Sequence, residues 1–308
     1  MARSGGQWAV LAALFAGVVF AWPTYVRYFG LHPWPMLVGL SVAFAMYLPS
    51  VWAIRYVDRK EPEPPLLFWG SVAFVIFFAP ITSRVMHGII DAGLLPYWQV
   101  VGPMEEVTKL LPLLLLAWLV PSAVSSMRDG IVYGALGGLG FAIVEFGANF
   151  AVDGYVNEGW SFLRTAIPAR WALGAESHII WGATAGAGVG YVLRHRGKRW
   201  SLPIGLGIVA LVMATHGLND LYGKYIGPLA MVLLVEPAQS AGVDLRTLAS
   251  DSPLVAVILV YSAVVNTLII NLLLWPVLAW GLRYSAERGP GAPQRAAVRK
   301  AGCSRPQS

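Results

Sequence analysis

The chain has 308 residues, of which 57% are hydrophobic and 12% are charged, and its formal net charge is +6. Repeated apolar stretches long enough to cross a bilayer exclude a soluble domain and predict an integral membrane protein. The basic residues form no stripe on a soluble face, which argues against nucleic acid as a partner, and the single cysteine, Cys303, excludes disulfides and thiolate metal sites.

Windows of about 20 apolar residues predict eight membrane spans, at residues 8–29, 34–54, 66–86, 103–120, 129–151, 175–194, 201–221 and 253–282. Residues 225–235 are apolar but too short to cross alone, and residues 236–252 form a polar loop. We therefore expect an all-α, polytopic transmembrane helix bundle. It forms a single domain over residues 1–283, with its core at 50–225, followed by a disordered basic cytoplasmic tail at 284–308.

Basic residues are distributed unevenly between the loops, and this bias sets the orientation of a membrane protein. Most of the 22 basic residues fall on one side of the predicted spans: Arg3, Arg55, Arg59, Lys60, Arg128, Arg194, Arg196, Lys198, Arg199, Arg283, Arg288, Arg295, Arg299, Lys300 and Arg305. The positive-inside rule therefore predicts that both termini lie in the cytoplasm.

Glu105 and Glu106 stand side by side at the predicted start of the fourth span. Ionisable residues inside a membrane usually mark a pathway or a reacting centre. Pro103, close to the predicted N1 position, would place the pair in the first helical turn, where free backbone N–H groups favour anions. Lys109, one turn further on, either keeps Glu105 ionised or extends towards the outer surface.

Four ionisable residues are predicted to lie at the same depth in four different spans. Each is 16 or 17 residues from the residue that marks the predicted cytoplasmic end of its span: Glu105 from Pro121, Glu145 from Arg128, His178 from Arg194, and His216 from Arg199. At about 1.5 Å per residue, all four lie roughly 24–26 Å from the inner edge, in the outer part of a core about 30 Å thick.

Glycines recur every four residues in the fifth and sixth spans: Gly130, Gly134 and Gly138, and then Gly182, Gly186 and Gly190. Such faces of small residues allow two helices to approach closely in lipid. Glu145 and His178 lie on the glycine faces of their helices. We therefore expect the two helices to pack together with Glu145 and His178 facing inward.

Three further polar residues are candidate supporting groups. Asp220 follows His216 by four residues near the C-terminal end of its helix, where a carboxylate is disfavoured, so it requires a partner such as a protonated histidine. Asn149 and Asn219 are either donors to an oxyanion or substrate, or helix-capping and bridging residues.

Two imidazoles and several carboxylates in a mostly dry site suit hydrolysis of a peptide bond. In one version His178, His216 and Glu145 hold a catalytic zinc ion, and a glutamate of the Glu105–Glu106 pair is the general base. In the other version there is no metal, and a glutamate activates water directly. The HExxH motif is absent, so spacing does not decide between the two.

Several stretches resemble the PrsW family of bacterial intramembrane proteases. Residues 102–109, GPMEEVTK, resemble its EExxK motif, and three further stretches resemble the family as well: residues 137–145, the span that His178 opens, and residues 216–220. The acidic loop at 56–64 also looks similar. The wider superfamily of CAAX proteases and bacteriocin-processing enzymes has the motifs EExxxR and FxxxH. In this chain Lys109 lies one residue before the position of the Arg in the first motif, and Glu145 replaces the His of the second. Both departures favour the PrsW branch.

The resemblance implies proteolysis of membrane-anchored proteins, such as single-span anti-sigma factors, near the outer face of a bacterial plasma membrane. Its site would comprise Glu105, Glu106, Glu145, His178 and His216. A proton- or cation-coupled transporter is the alternative, because intramembrane Glu/His relays also serve that function. An inactive scaffold that binds partner helices through its glycine faces is a third possibility.

Overall fold

The computed structural model describes residues 2–161, 177–221 and 271–285, and within these ranges the chain forms helices and no strands. The α-helices are α1 (Ala2–Leu31), α2 (Pro33–Met46), α3 (Leu48–Asp58), α4 (Pro65–Asp91), α5 (Tyr97–Leu119), α6 (Met127–Val144), α7 (Ala151–Glu158), α8 (Ser177–Arg194), α9 (Ser201–Leu221) and α10 (271–285). A π-helix, Glu145–Phe150, joins α6 to α7. The all-α prediction is confirmed.

The described helices overlap the predicted spans, but fewer of them are long and apolar enough to cross a membrane. Three are long and apolar enough: α4, α9 and the continuous stretch Met127–Asn157. A fourth arises if α2 and α3, bent by 44° relative to each other, count as one broken span. Eight spans and the orientation of the termini remain predictions. Residues 225–252, the first part of the eighth predicted span and nearly all of the tail lie outside the described residues.

The start of α5 differs from the prediction. The helix begins at Tyr97 with Pro96 as its N-cap and passes through Pro103 without ending. A proline inside a helix removes one backbone hydrogen bond and does not by itself stop the helix when tertiary contacts hold it. Glu105 and Glu106 therefore lie in the body of α5, and free N–H groups of a first turn do not stabilise them.

A proline within α4 ties that helix to α1. Pro80 has no N–H to offer the carbonyl of Ile76, four residues earlier. The hydroxyl of Tyr25 in α1 donates a hydrogen bond to this carbonyl, so the freed acceptor is satisfied inside the bundle, where an unpaired carbonyl is costly.

Helix α6 is the centre of the bundle, since all of its residues are buried. Its N-terminus is closed by a capping box in which Ser126 and Asp129 exchange hydrogen bonds with each other's backbone N–H groups. Its glycine face packs on α8 as predicted: a Cβ on Gly134 would collide with the carbonyl of Gly182, and one on Gly138 with the carbonyl of His178. Backbone contact between the two helices thus brings His178 to the end of α6.

The π-helix that follows α6 packs against α2. A Cβ on Gly39 would collide with Ala151 and with the carbonyl of Gly147, while one on Gly147 would collide with Leu40. Single-turn π-helices within longer helices often occur at functional sites. Glu145 is the first residue of this segment, so the contact between α2 and the π-helix helps to fix its position.

Candidate active site

Helices α5 and α9 meet at a glycine contact that brings an acid and an imidazole together. A Cβ on Gly102 would crowd the backbone N of Gly217, so the two backbones approach closely there. Beside this contact, Nδ1 of His216 donates a hydrogen bond to Oε1 of Glu106, at 2.7 Å. Both side chains are buried. This contact fixes the imidazole so that its Nε2 faces Glu105.

Lys109 supplies a fully buried positive charge beside the glutamate pair. Its Nζ lies 2.6 Å from Oε1 of Glu106 and 3.8 Å from Oε2 of Glu105. A Cβ on Gly137 would collide with the carbonyl oxygen of Lys109, so α6 presses on α5 at this turn. Of the two alternatives for Lys109, the structure shows the ion pair with the glutamates and no extension to the surface.

Glu145 and His178 form the second acid–imidazole pair. Oε2 of Glu145 lies 2.8 Å from Nε2 of His178, so the ring donates its Nε2–H to the carboxylate. The expectation that these residues face each other across the glycine faces is thereby met. The other nitrogen of the ring, Nδ1, lies 4.0 Å from Oε2 of Glu105.

Three potential ligand atoms converge between these pairs. Oε2 of Glu105, one ring nitrogen of His178 and one of His216 all lie within 4.8 Å of one another, and Nε2 of His216 is 3.4 Å from Oε2 of Glu105. The sequence assigned the carboxylate of this triad to Glu145. The structure places Glu105 there, because Glu145 lies against the opposite nitrogen of His178.

These residues fit a divalent metal ion. Two imidazoles and one carboxylate match the ligands of several catalytic zinc sites, and a carboxylate on the other nitrogen of each imidazole is the usual way to orient metal-binding histidines. Oε2 of Glu105 is buried and accepts no hydrogen bond from the described residues. Within the described part of the chain, the ammonium of Lys109 ion-pairs with both Glu105 and Glu106, and a divalent cation beside Glu105 would add further positive charge to this pair of buried carboxylates.

Two aromatic side chains enclose the site. Trp181 is buried, lies 4.0 Å from the ring of His216 and meets the ring of His178 edge-on at 5.3 Å. The ring of Phe141 lies 5.3 Å from that of His178 and 4.8 Å from Nζ of Lys109. Trp181 was not among the predicted site residues, although its position three residues after His178 puts both on one helix face.

The predicted supporting residues have different positions. Oδ1 of Asp220 is 3.7 Å from Nε2 of His216, which provides the partner that its place at a helix end requires. Asn219 lies one turn beyond His216 on α9 and is partly buried. Asn149 lies in the π-helix, and the structure describes its backbone only.

A cavity of about 840 Å³ reaches the site from one side. Both Glu105 and Glu145 line it, together with α4 and α7 residues, and both carboxylates are partly accessible. Glu106 does not line it and is fully buried. A molecule in the cavity can therefore touch Glu105 and Glu145, but it cannot touch Glu106.

A second acidic cluster lies at the opposite end of the bundle, in the loop before α4. The hydroxyl of Tyr133 donates a hydrogen bond to Glu63, and the backbone N–H of Glu63 donates to Asp58 at 3.0 Å. Burial raises the pKa of Glu63 to about 7, with smaller contributions from Asp129 and Asp58. These contacts fasten the acidic loop to α6.

Comparison with known protein families gives a match over the central part of the chain. A family model described as PrsW family intramembrane metalloprotease matches residues 65–241, more than half of the chain. No curated protein and no solved structure matches. The matched range contains all five predicted site residues.

Proposed function

The chain belongs to the PrsW family of intramembrane metalloproteases, and from this premise we propose that it hydrolyses peptide bonds of membrane-anchored proteins. The observation that carries the proposal is the convergence of Glu105, His178 and His216. Each imidazole is oriented by a carboxylate on its other nitrogen. This arrangement supports a hydrolytic metal centre, and nothing in the comparisons supports a transporter.

Glu105, His178 and His216 are the residues that would hold the metal, and zinc is our proposal for its identity. When bound, such an ion lowers the pKa of a water molecule and polarises the carbonyl of a scissile peptide bond. The fit rests on the donor set and on the buried Oε2 of Glu105, which accepts no hydrogen bond from the described residues.

Glu145 is our candidate for the general base. A base must come within hydrogen-bond distance of the proton that it removes, and Glu145 lines the cavity while its Oε2 is bound to His178. A carboxylate there can take a proton from water and later deliver it to the leaving amine.

Glu106 has a positioning role in this scheme. It is fully buried, accepts hydrogen bonds from His216 and Lys109, and does not line the cavity. Its carboxylate keeps the proton of His216 on Nδ1, so that the unprotonated Nε2 faces Glu105. Lys109 offsets part of the charge of the two adjacent carboxylates.

The substrate that we propose is a single-span membrane protein, such as an anti-sigma factor, cut near the outer face of a bacterial plasma membrane. Support for this comes from the family resemblance and from the predicted orientation, which puts the layer of Glu105, Glu145, His178 and His216 near the outer surface. Both termini are then cytoplasmic, in accordance with the positive-inside rule.

The test is cleavage of single-span peptides by purified protein in proteoliposomes, together with metal analysis of the same preparation. We expect cleavage by the unmodified chain, stoichiometric zinc, inhibition by chelators, and a loss of at least about 10²-fold with Glu105→Gln, as expected when a catalytic metal ligand is removed. Glu61→Gln, a substitution of the same kind in the loop before α4, is the control and leaves cleavage unchanged.

Ion flux without peptide cleavage would overturn the proposal in favour of a transporter. Cleavage that proceeds without any bound metal and resists chelators would leave the protease but remove the zinc, and Glu105 would then activate water directly.

A further inference from the structure

The second half of α4 carries a polar face. Arg84, His87 and Asp91 follow one another at spacings of three and four residues, and Ser83 precedes His87 by four, which places them on one side of the helix. None of these side chains forms a hydrogen bond or ion pair with any group in the described ranges of the chain. Ionisable residues within a membrane span are costly, and they usually face a water-filled cavity or a bundle interior.

This polar face lines the 840 Å³ cavity that reaches the site. Ser83, Arg84, His87 and Asp91 all border the cavity, and so do Glu105 and Glu145 at its inner end. Arg84, His87 and Asp91 are exposed, whereas Glu105 and Glu145 are mostly covered. The cavity therefore leads from an exposed polar rim to the candidate catalytic carboxylates.

Hydrogen bonds join α4 to α5 along the cavity wall that lies between the exposed residues of α4 and Glu105. The hydroxyl of Thr108 in α5 donates a hydrogen bond to Oγ1 of Thr82 in α4 at 2.9 Å, and also contacts the carbonyl of Met104. Thr82 in turn donates to the carbonyl of Ala79 at 3.0 Å. Both threonine hydroxyls are satisfied within the protein, whereas the hydroxyl of Ser83 has no hydrogen-bond partner among the described residues and is available to a molecule bound at this wall.

The α6 side of the cavity carries the apolar Phe141 and Val144, whereas α7 contributes both the apolar Val152 and the charged Asp153. An occupant thus meets polar groups on the α4 side and apolar groups on the α6 side. The volume is within the range of about 300–1,000 Å³ typical of ligand sites. A peptide bond can reach Glu145 only if its backbone is unwound from a helix, and unwound backbone in a membrane needs polar partners.

We propose that the polar face of α4, with Ser83 and Arg84 at its centre, binds an unwound segment of the substrate and presents its backbone to Glu105 and Glu145. This inference rests on the proposed function and adds the substrate's conformation and entry side. The substrate segment is extended, flanks its own membrane span, and enters between α4 and α7. Ser83 and Arg84 supply hydrogen bonds to its freed carbonyl groups, and apolar side chains of the segment face α6.

The experiment compares Ser83→Trp with Val85→Trp, in the proteoliposome assay with single-span peptides. Val85 is on the same helix, is exposed and does not line the cavity, so it is a matched control for added bulk. We expect Ser83→Trp to reduce kcat/KM by at least about tenfold, mainly through KM, because it obstructs binding and leaves the catalytic groups in place. Val85→Trp should cleave as the unmodified chain does, and both variants should retain metal.

Equal cleavage by the two tryptophan variants would contradict substrate binding at the polar face of α4, but it would not contradict the proposed protease activity. A complete lack of cleavage by the unmodified, metal-loaded chain would overturn both.

A cysteine variant keeps the proposal testable if Ser83→Trp does not fold. In a Cys303→Ser background, Ser83→Cys leaves one thiol in the chain. A water-soluble maleimide should modify this thiol, and an excess of a cleavable single-span peptide should slow the modification at least about fivefold by occupying the wall. Val85→Cys should show no such protection. Modification of Ser83→Cys at the same rate with and without peptide would overturn the inference.

Discussion

The indole ring of Trp181 lies against the imidazole of His216, with ring centroids 4.0 Å apart and planes inclined by 32°. The same indole meets His178 edge-on, so one side chain restrains both imidazoles of the candidate site. Its Nε1 is buried and has no hydrogen-bond partner within the described residues.

Substitution of Trp181 should therefore separate the effect of the ring from that of its N–H. Trp181→Phe keeps an aromatic face and should reduce kcat/KM less than about tenfold, whereas Trp181→Leu should reduce it about 10–100-fold and weaken metal binding. Peptide cleavage and metal titration measure the two effects. Trp118→Leu, at a side chain that is 76% exposed, is the control. Equal losses at positions 118 and 181 would show a general effect on packing.

Glu145→Gln should separate metal binding from catalysis. The amide can still accept the hydrogen bond from His178, so we expect metal affinity to fall by less than about tenfold. Loss of a general base should lower kcat by about 10²–10⁴-fold. Single-turnover cleavage and metal titration check both statements. A normal kcat in Glu145→Gln would show that another residue is the general base.

Lys109→Met should destabilise the bundle more than loss of the whole ion pair. Removal of one partner of a buried pair leaves an uncompensated charge and costs about 3–5 kcal/mol. Adding Glu106→Gln to Lys109→Met removes that charge, so the double variant should unfold less readily than the single one. Denaturant titration measures the free energies of unfolding. Lys60→Met, at an exposed lysine, should change them by less than about 0.5 kcal/mol.

Gly137→Ala should disturb the site through the backbone. The added Cβ would collide with the carbonyl of Lys109, so α5 and α6 must separate at that turn, at a cost of about 1–3 kcal/mol. Gly207→Ala, where a Cβ would meet nothing within 4 Å, is the matched control and should be neutral or stabilising by up to about 1 kcal/mol. In thermal unfolding, the melting temperature should fall in Gly137→Ala and should stay the same or rise in Gly207→Ala. Similar melting temperatures would contradict the close approach.

Glu63→Gln should change how stability depends on pH. The pKa of Glu63 is about 7 in the folded chain and about 4.3 in an unfolded one, so the folded state binds more protons between these values. The contribution of Glu63 to stability therefore decreases as the pH rises from about 4.3 to 7, by an amount on the order of 1 kcal/mol after allowing for partial exposure.

The measurement for Glu63 is thermal unfolding of both forms from pH 4 to pH 8, conditions chosen to bracket the two pKa values. The unmodified chain should lose stability relative to Glu63→Gln as the pH rises through this range. A difference between the two forms that does not vary with pH would show that the pKa of Glu63 is not raised.

Sequence alone predicted most of the residues that meet in the candidate site, because a helix has a fixed rise per residue. Counting residues placed Glu105, Glu145, His178 and His216 at one depth, and their side chains are in contact in the structure. The glycine faces identified which two helices would pack closely, since only residues without large side chains permit backbone contact in lipid. The family motifs added the reaction class, which the family match supports.

Only the tertiary structure decided which carboxylate joins the two imidazoles. Depth along a helix axis can be counted, but the rotation of one helix against another depends on packing across several neighbours. Glu145 lies in a π-helix pressed by α2, and Glu105 projects from a helix that begins earlier than its prolines predict. Rules that use only residues close together in the sequence cannot predict these contacts between helices. For the same reason, the stacking of Trp181 on His216 and the cavity beside α4 appear only when the helices are assembled.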